Sequence, residues 1–393
     1  MKRKIELLAP AGGMEQLKTA IHFGADSVYA GGPGFGLRAN AANFTIEGLK
    51  EAADYVHERG KKLYITVNAV MHQYDIKRLP AYFEKLYAAD VDAVIVSDPG
   101  ALMLARKSGL RVHISTQASV CNAESVKFWR DAGASRVVLA RELSLDEIAD
   151  IKREAGDVEL ETFVHGAMCM SYSGRCLISA FLSGRDANRG DCSHPCRWKY
   201  RVQEEKRGGM FIDIDEDGRG SYIFNSKDLK MIRHLEELKE AGVGCFKIEG
   251  RMKSAYYVGT VVGAYRRTMD NPKSAKEFEP ELEAVSHRPY STGFFFGPAQ
   301  QDCEGGEYIS THEFVGVVRG HENGNIIAEQ RNRFFRGDEL ELLRPGKEAA
   351  AFVASDLTDI DGNPLESAPH PQQMLKIGCP FEAEPLDIIR KRK

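Results

Sequence analysis

Four stretches, FGADSVYAG (residues 23–31), DVDAVIVSD (90–98), AGASRVVLAR (132–141) and AGVGCFKIEG (241–250), repeat one phrase. A helix ends at a small residue or glycine, and a short β-rich apolar run follows. Glycine closes a helix in the left-handed conformation, and a run without polar alternation enters a strand buried on both faces. Working outward from these stretches, strand candidates fall at 5–9, 27–30, 63–68, 93–97, 112–116, 136–140, 160–164 and 245–249. Amphipathic segments lie between them. Ser144-Leu145-Asp146-Glu147 is a capping box, and the helix it opens sets Leu145, Ile148 and Ile151 on one face. Eight strands with helical connections are the arithmetic of an α/β (β/α)8 TIM-like barrel. An open doubly wound sheet is the alternative, since strand count alone does not prove closure.

The alternation breaks after the seventh strand. Residues 166–220 read as a Cys-rich insertion, and its last part, KYRVQEEKRGGMFIDIDEDGRGSYIF (199–224), reads as a hairpin with Gly and Asp turns. The catalytic domain is thus expected at 1–270, a linker at 271–288 and a small all-β, barrel-like or sandwich domain at 289–393. That last domain announces itself by short strands, GFFFG, EFVGVVRG, GNIIAEQ, GDELELL, AAFVA and QMLKIG, with regular turn signals between them. The insertion leaves the C-terminal end of a barrel strand, where barrel enzymes build their active sites.

Cys169, Cys176, Cys192 and Cys196 lie in that insertion with the spacing C-x6-C-x15-C-x3-C. Four thiolates from one local stretch suit a tetrahedral S4 site or an iron–sulfur cluster. Structural zinc usually draws on tight knuckles at both ends, whereas one end here is a wide x6 loop. That spacing fits a bulkier cubane, and zinc stays open as the alternative. Gly166, Gly174, Gly190 and Pro195 allow tight turns around the thiols. The remaining cysteines, Cys121, Cys245, Cys303 and Cys379, are scattered and read as core or incidental residues.

Composition narrows the classes. The chain has 393 residues, enough for two or three domains, and its 28% charged content is that of a soluble globular protein. No apolar run approaches the roughly 18 residues of a membrane span, and MKRKIELLAPAGG is too short and too charged for a secretory signal. A cytoplasmic chain is expected, where clustered cysteines mean metal or redox chemistry more than disulfides. A net charge of −4 excludes a globally basic nucleic-acid binder. Contact with RNA would need a local patch, either Arg185, Arg189, Arg197 and Lys199 or the tail Arg390, Lys391, Arg392 and Lys393. Neither H-E-x-x-H nor G-x-S-x-G occurs.

Polar residues at strand ends face a barrel mouth. Here they are Glu6, Tyr29, Asn68, Asp98, Gln117, Arg141, His165 and the trio Glu249-Gly250-Arg251. Arg38 and Asn43 belong to the glycine-rich loop GGPGFGLRANAANF, which lacks a full dinucleotide fingerprint. Catalytic acid–base roles are assigned to His165 and Glu249, and ligand binding to Arg38, Asn68, Gln117, Arg141 and Arg251. Several arginines at one mouth suit a dicarboxylate or phosphate.

ETFVHGAMCMSYSGRCLIS (161–179) and RDANRGDCSHPCRW (185–198) resemble the signature of peptidase family U32, the collagenase-like peptidases. FNSKDL (224–229), FKIEGRMKSAYYVG (246–259), LLAPAG, DSVYAG and LRANAANFT are similar to the same family. HRPYSTGFFFG and QRNRFFRGDELELL resemble its C-terminal domain. The resemblance implies iron–sulfur proteins of oxygen-independent hydroxylation: of a tRNA wobble uridine with prephenate, of an rRNA cytidine, or of ubiquinone precursors by heterodimers. Length and the C-terminal domain place this chain nearest the tRNA branch. The family pattern then puts a 4Fe-4S cluster on Cys169, Cys176, Cys192 and Cys196. Prephenate or a similar dicarboxylate would sit on Arg38, Arg141 and Arg251. Expected partners are tRNA and either an electron donor or a paralogous family protein. A peptidase acting on collagen-like chains competes with this reading.

Overall fold

The structure, a computed structural model, describes residues 4–37, 43–169, 171–172, 175–198, 202–203, 211–212, 216–217, 220–221, 226–297, 299 and 308–393. Eight parallel strands form its first sheet: β1 (Glu6–Pro10), β2 (Ser27–Gly31), β3 (Lys62–Val67), β4 (Ala93–Val96), β5 (Val112–Ile114), β6 (Arg136–Val138), β7 (Glu159–Gly166) and β8 (Val243–Ile248). Each pairs with the next, and β8 pairs with both β7 and β1, so the sheet closes into a barrel. The eight expected strands match these within one or two residues. The reason is burial on both faces, which makes β4 apolar throughout and β2 apolar after Ser27.

Helices connect the strands, among them Ile46–His57, Leu79–Ala88, Pro99–Lys107, Ala123–Asp131 and Leu145–Ala155. The expected capping box is present: Ser144 Oγ accepts from the Glu147 amide, and Glu147 Oε2 accepts from the Ser144 amide at 2.8 Å. Both bonds satisfy amides that the first helical turn leaves without partners. Ser144→Ala should therefore lower the unfolding free energy by about 1 kcal/mol, read from denaturant melts. Asp98, a candidate site residue, instead caps a helix, its Oδ1 accepting from the Ala101 amide at 2.9 Å.

The barrel interior is filled, not hollow. Leu8, Tyr29, Tyr64, Ala93, Ile95 and Cys245 form one buried cluster. At the N-terminal ends of the strands a charged layer crosses the barrel. Arg136 bridges Glu6 (2.9 Å), Glu161 (3.1 Å) and Glu159 (3.2 Å). Ser27 and Tyr64 donate their hydroxyls to Glu6 at 2.6 and 2.9 Å. Burial opposes ionisation of Glu6. The hydrogen bonds and charge of Arg136, with Ser27 and Tyr64, outweigh it, so the Glu6 pKa lies below the ordinary value. Glu6 was expected at the mouth. As the first residue of β1 it lies at the opposite end.

The chain divides into two compact units, residues 1–17, 26–253 and 287–308, and residues 18–25, 254–286 and 309–393. In the first unit the short strand Asp228–Lys230 runs antiparallel to the end of β7, and Tyr290–Ser291 pairs alongside it. Residues 290–291, expected in the β-domain, instead pair with this short strand of the first unit. The 271–288 stretch, expected as a linker, carries the short helical turns Pro272–Ser274, Ala275–Phe278 and Glu279–Ala284. Within the expected hairpin, 202–203 pairs with 211–212 and 216–217 pairs with 220–221, both antiparallel.

The second unit contains helix Ala255–Asp270 and a seven-stranded antiparallel sheet. Asn325–Gln330 and Met374–Gly378 alternate buried with half-buried residues, the period of a one-sided strand. The basic tail is not a free patch. Arg390 is buried between Glu281 (2.6 Å) and Glu341 (2.7 Å), and Lys391 pairs with Asp338. Strand Ile388–Arg392 lies within the sheet, burying Arg390 and leaving Lys391 half-buried and Arg392 exposed. Among the described residues, no helix is long and apolar enough to cross a membrane.

Candidate active site at the barrel mouth

The loops after β3, β5, β6 and β8 converge on a cavity of about 60 Å³. Asn68 follows β3 and donates its amide to Ser115 Oγ at 2.9 Å and Gln117 Oε1 at 3.1 Å. The Asn68 Oδ1 is buried with no hydrogen-bond partner among the described residues, so a ligand donor at this wall would satisfy it. Arg141 donates to the Ala167 carbonyl at 2.7 Å and lies 3.9 Å above the Phe163 ring. Arg251 is buried and donates to Thr66 Oγ1. It fits because Gly31 lacks a side chain: a Cβ there would stand 2.8 Å from Arg251 Nη1. Glu249 lines the same cavity.

Lys247 is the residue that sequence reasoning missed. Its Nζ pairs with buried Glu161 at 2.7 Å and sits 4.5 Å over Tyr29. It follows the strand rule: two residues before Glu249, it faces the same side of β8. Three cations, Arg141, Lys247 and Arg251, thus line the mouth beside one carboxylate, Glu249. Such a lining receives a small anion with two carboxylates or a phosphate.

A second cavity, about 120 Å³, adjoins the first and shares Leu37, Gln117, Arg141 and Glu249 with it. Cys169, Cys176, Cys192 and Cys196 all line it, with Met168, Tyr172 and Pro195 among their neighbours. All four are free thiols. The His194 amide donates to Cys192 Sγ at 3.4 Å, a bond that stabilises charge on the sulfur. Among the described residues, no group of three or more His, Cys, Asp and Glu side chains is gathered as ligands of one bare ion. The four thiols instead all line the one cavity. Soft sulfur donors lining one cavity fit a cluster with several attachment points.

The cysteine segment is fastened to the loop after β3. Arg189 donates to the Val70 carbonyl (2.8 Å), to Asp75 (3.0 Å) and to the Tyr74 hydroxyl. Val70 returns its amide to the Asn188 carbonyl, and the Asn188 side chain holds the Cys176 carbonyl at 2.9 Å. Burial raises the Asp75 pKa, but the Arg189 bond and the His72 amide outweigh it and hold it below the usual value. Arg189→Ala should speed amide exchange of residues 186–192 about tenfold or more, while β1–β8 stay protected. Equal protection in the variant would show that Arg189 is not the fastener.

Asn68, Gln117, Arg141, Glu249 and Arg251 therefore line one cavity, and the four cysteines line the cavity adjoining it. Arg38 lies outside the described residues, as does Cys303. His165 is buried but lines neither cavity. The β7–β8 ladder pairs Phe163 with Lys247 and then His165 with Ile248, a one-residue irregularity. It sets His165 on the side of Ile248, away from Glu249, with its ring 5.5 Å from Tyr290.

Residues 12–304 match the model of peptidase family U32, and residues 310–390 match that of its C-terminal domain. The chain is 40% identical to tRNA hydroxylation protein P1 of Bacillus subtilis (strain 168), over 100% of this chain and 96% of that protein. It is 36% identical to tRNA hydroxylation protein P of Escherichia coli (strain K12), over 93% and 92%. It is also 36% identical to the 23S rRNA 5-hydroxycytidine C2501 synthase of Escherichia coli (strain K12), over 86% of this chain and 52% of that protein.

Proposed function

Because the chain belongs to peptidase family U32, we propose that it takes part in hydroxylating RNA, its substrate a tRNA wobble uridine. The product is 5-hydroxyuridine, formed in the cytosol without molecular oxygen. One observation carries the reading: a four-thiol cavity shares a wall with a cationic barrel mouth, in a chain similar end to end to tRNA hydroxylation proteins.

Cys169, Cys176, Cys192 and Cys196 would hold a 4Fe-4S cluster, with zinc as the alternative. When bound, such a cluster supplies one-electron transfer or a Lewis-acidic iron. Arg141 and Arg251 bind the carboxylates of a prephenate-like co-substrate, and Lys247 adds a third cation. Asn68 and Gln117 orient that ligand through their mutual hydrogen bond. Glu249, on the shared wall, holds or accepts a proton at its carboxylate. The base enters from an anticodon loop, where leaving the stack costs less than in a duplex.

Nucleoside mass spectrometry of tRNA and rRNA from cells with and without the gene tests this. Loss of 5-hydroxyuridine from tRNA is expected, together with iron and sulfide in protein purified without oxygen. Loss of 5-hydroxycytidine from rRNA instead would move the substrate to the ribosome, the second reading favoured by the 23S rRNA relative. Unchanged RNA, with cleavage of collagen-like chains indifferent to iron chelation, would return the peptidase.

A further inference from the structure

We infer that the outer face of the cysteine segment is a docking surface for unpaired nucleotides of an RNA loop. Six large side chains stand exposed on this segment or on the loop fastened to it: Val70, Tyr74, Tyr172, Leu177, Leu182 and Trp198. Leu177 is 69% exposed and Trp198 42%. Isolated apolar residues are ordinary on a surface, but six along one short connected stretch mark an interaction site.

The connections fix them as one surface. Tyr74 takes a hydrogen bond from Arg189, and Val70 bonds the Asn188 carbonyl. Ser193 bonds both Ser179 and Ser183, which ties the helix bearing Leu182 to the turn before Trp198. Tyr172 reaches the wall of the thiol cavity itself. Through Tyr172 the surface reaches the cavity beside which a base would react.

Charge selects the occupant. Residues 167–199 carry five Lys or Arg against two Asp, although the whole chain has a net charge of −4. Arg175 and Arg185 are exposed on this segment, Arg185 pairing with Asp191 at 2.7 Å and Arg189 with Asp75 at 3.0 Å. Flat aromatic faces interleaved with cations fit a partner that offers both π faces and phosphates. An acidic peptide would satisfy the cations and leave the rings uncovered. Duplex RNA would hide its bases. Unpaired RNA meets both demands. This inference rests on the RNA reading above, and deepens it by saying where the strand lies.

The test is fluorescence anisotropy of a labelled anticodon stem–loop RNA with the full chain, purified without oxygen. Trp198→Ala and Tyr74→Ala should each weaken binding by about tenfold. Trp198→Phe should restore it to within about twofold. Phe128→Ala, an exposed aromatic on helix Ala123–Asp131, should leave it unchanged. Arg175→Gln should flatten the salt slope by about 0.7. Unaltered melting and metal content exclude collapse of the segment. Wild-type affinity in both alanine variants overturns the surface, as does a variant that changes only the sedimenting mass, which would make it a protein interface. Wild type that modifies RNA while those variants bind normally removes this inference alone. Wild type that binds the loop through Trp198 but alters no nucleoside removes the proposed reaction alone.

Discussion

Arg136→Met should destabilise the barrel by about 3–5 kcal/mol at neutral pH, the cost of leaving buried charges without their partner. The Arg136 side chain is 3% exposed and touches three carboxylates, Glu6, Glu159 and Glu161. Burial opposes its charge, but the carboxylates Glu161 and Glu6 more than offset that, and its pKa is raised. Lys247 compensates part of Glu161, leaving Glu6 as the carboxylate that loses most. The sign of the pH dependence separates this from a packing defect. In wild type the Glu6 pKa is depressed, so its contribution is present above the ordinary carboxylate range and is lost as pH falls through the folded value. Without Arg136, burial acts on Glu6 against the Ser27 and Tyr64 hydrogen bonds alone and raises its pKa. The variant should then gain stability between about pH 7.5 and 5, where wild type does not. Urea melts at both pH values decide it. A variant within about 1 kcal/mol of wild type, with the same pH slope, would show that the network is neutral to folding.

Cys192→Ser should abolish wobble hydroxylation while the second unit stays folded. Cys192 lines the thiol cavity, and its sulfur already accepts the His194 amide. Serine keeps the shape but offers a hard oxygen that stays protonated at neutral pH, a poor ligand for a sulfur-selective centre. Sulfide content and visible absorption should fall together, and 5-hydroxyuridine should drop by at least about a hundredfold, the scale set by loss of an essential group. The sheet core around Val318, Ile326 and Leu375 contains none of the four thiols, so its melting should not change. Unchanged 5-hydroxyuridine in a strain carrying only this variant would sink the cluster's role.

The barrel was legible because its strands are buried on both faces and its helices carry local signals such as Ser144 and Glu147. The site's location was legible because the cysteines leave the end of β7. What pattern could not supply was the interior. Glu6 and Arg136 are 130 residues apart, and only closure of eight strands makes them neighbours. Lys247 stands in sequence as one polar residue within the strand candidate 245–249, and nothing local shows that Glu161 waits opposite. His165 failed differently. Position at a strand end predicts which end a side chain occupies, while the ladder irregularity near Val164 decides which side it faces.

Closure by β8 also sets a clock on synthesis. β1 is complete within the first ten residues, but its second neighbour is Val243–Ile248. At about 5–20 residues per second, roughly 12–50 seconds of translation separate the two. Throughout that interval the nascent chain presents an apolar strand with one unpaired edge, the feature that invites misassembly. The cysteine segment emerges within the same window, before the ring beneath it exists. Exposure of that edge during synthesis is therefore a liability that the topology itself imposes.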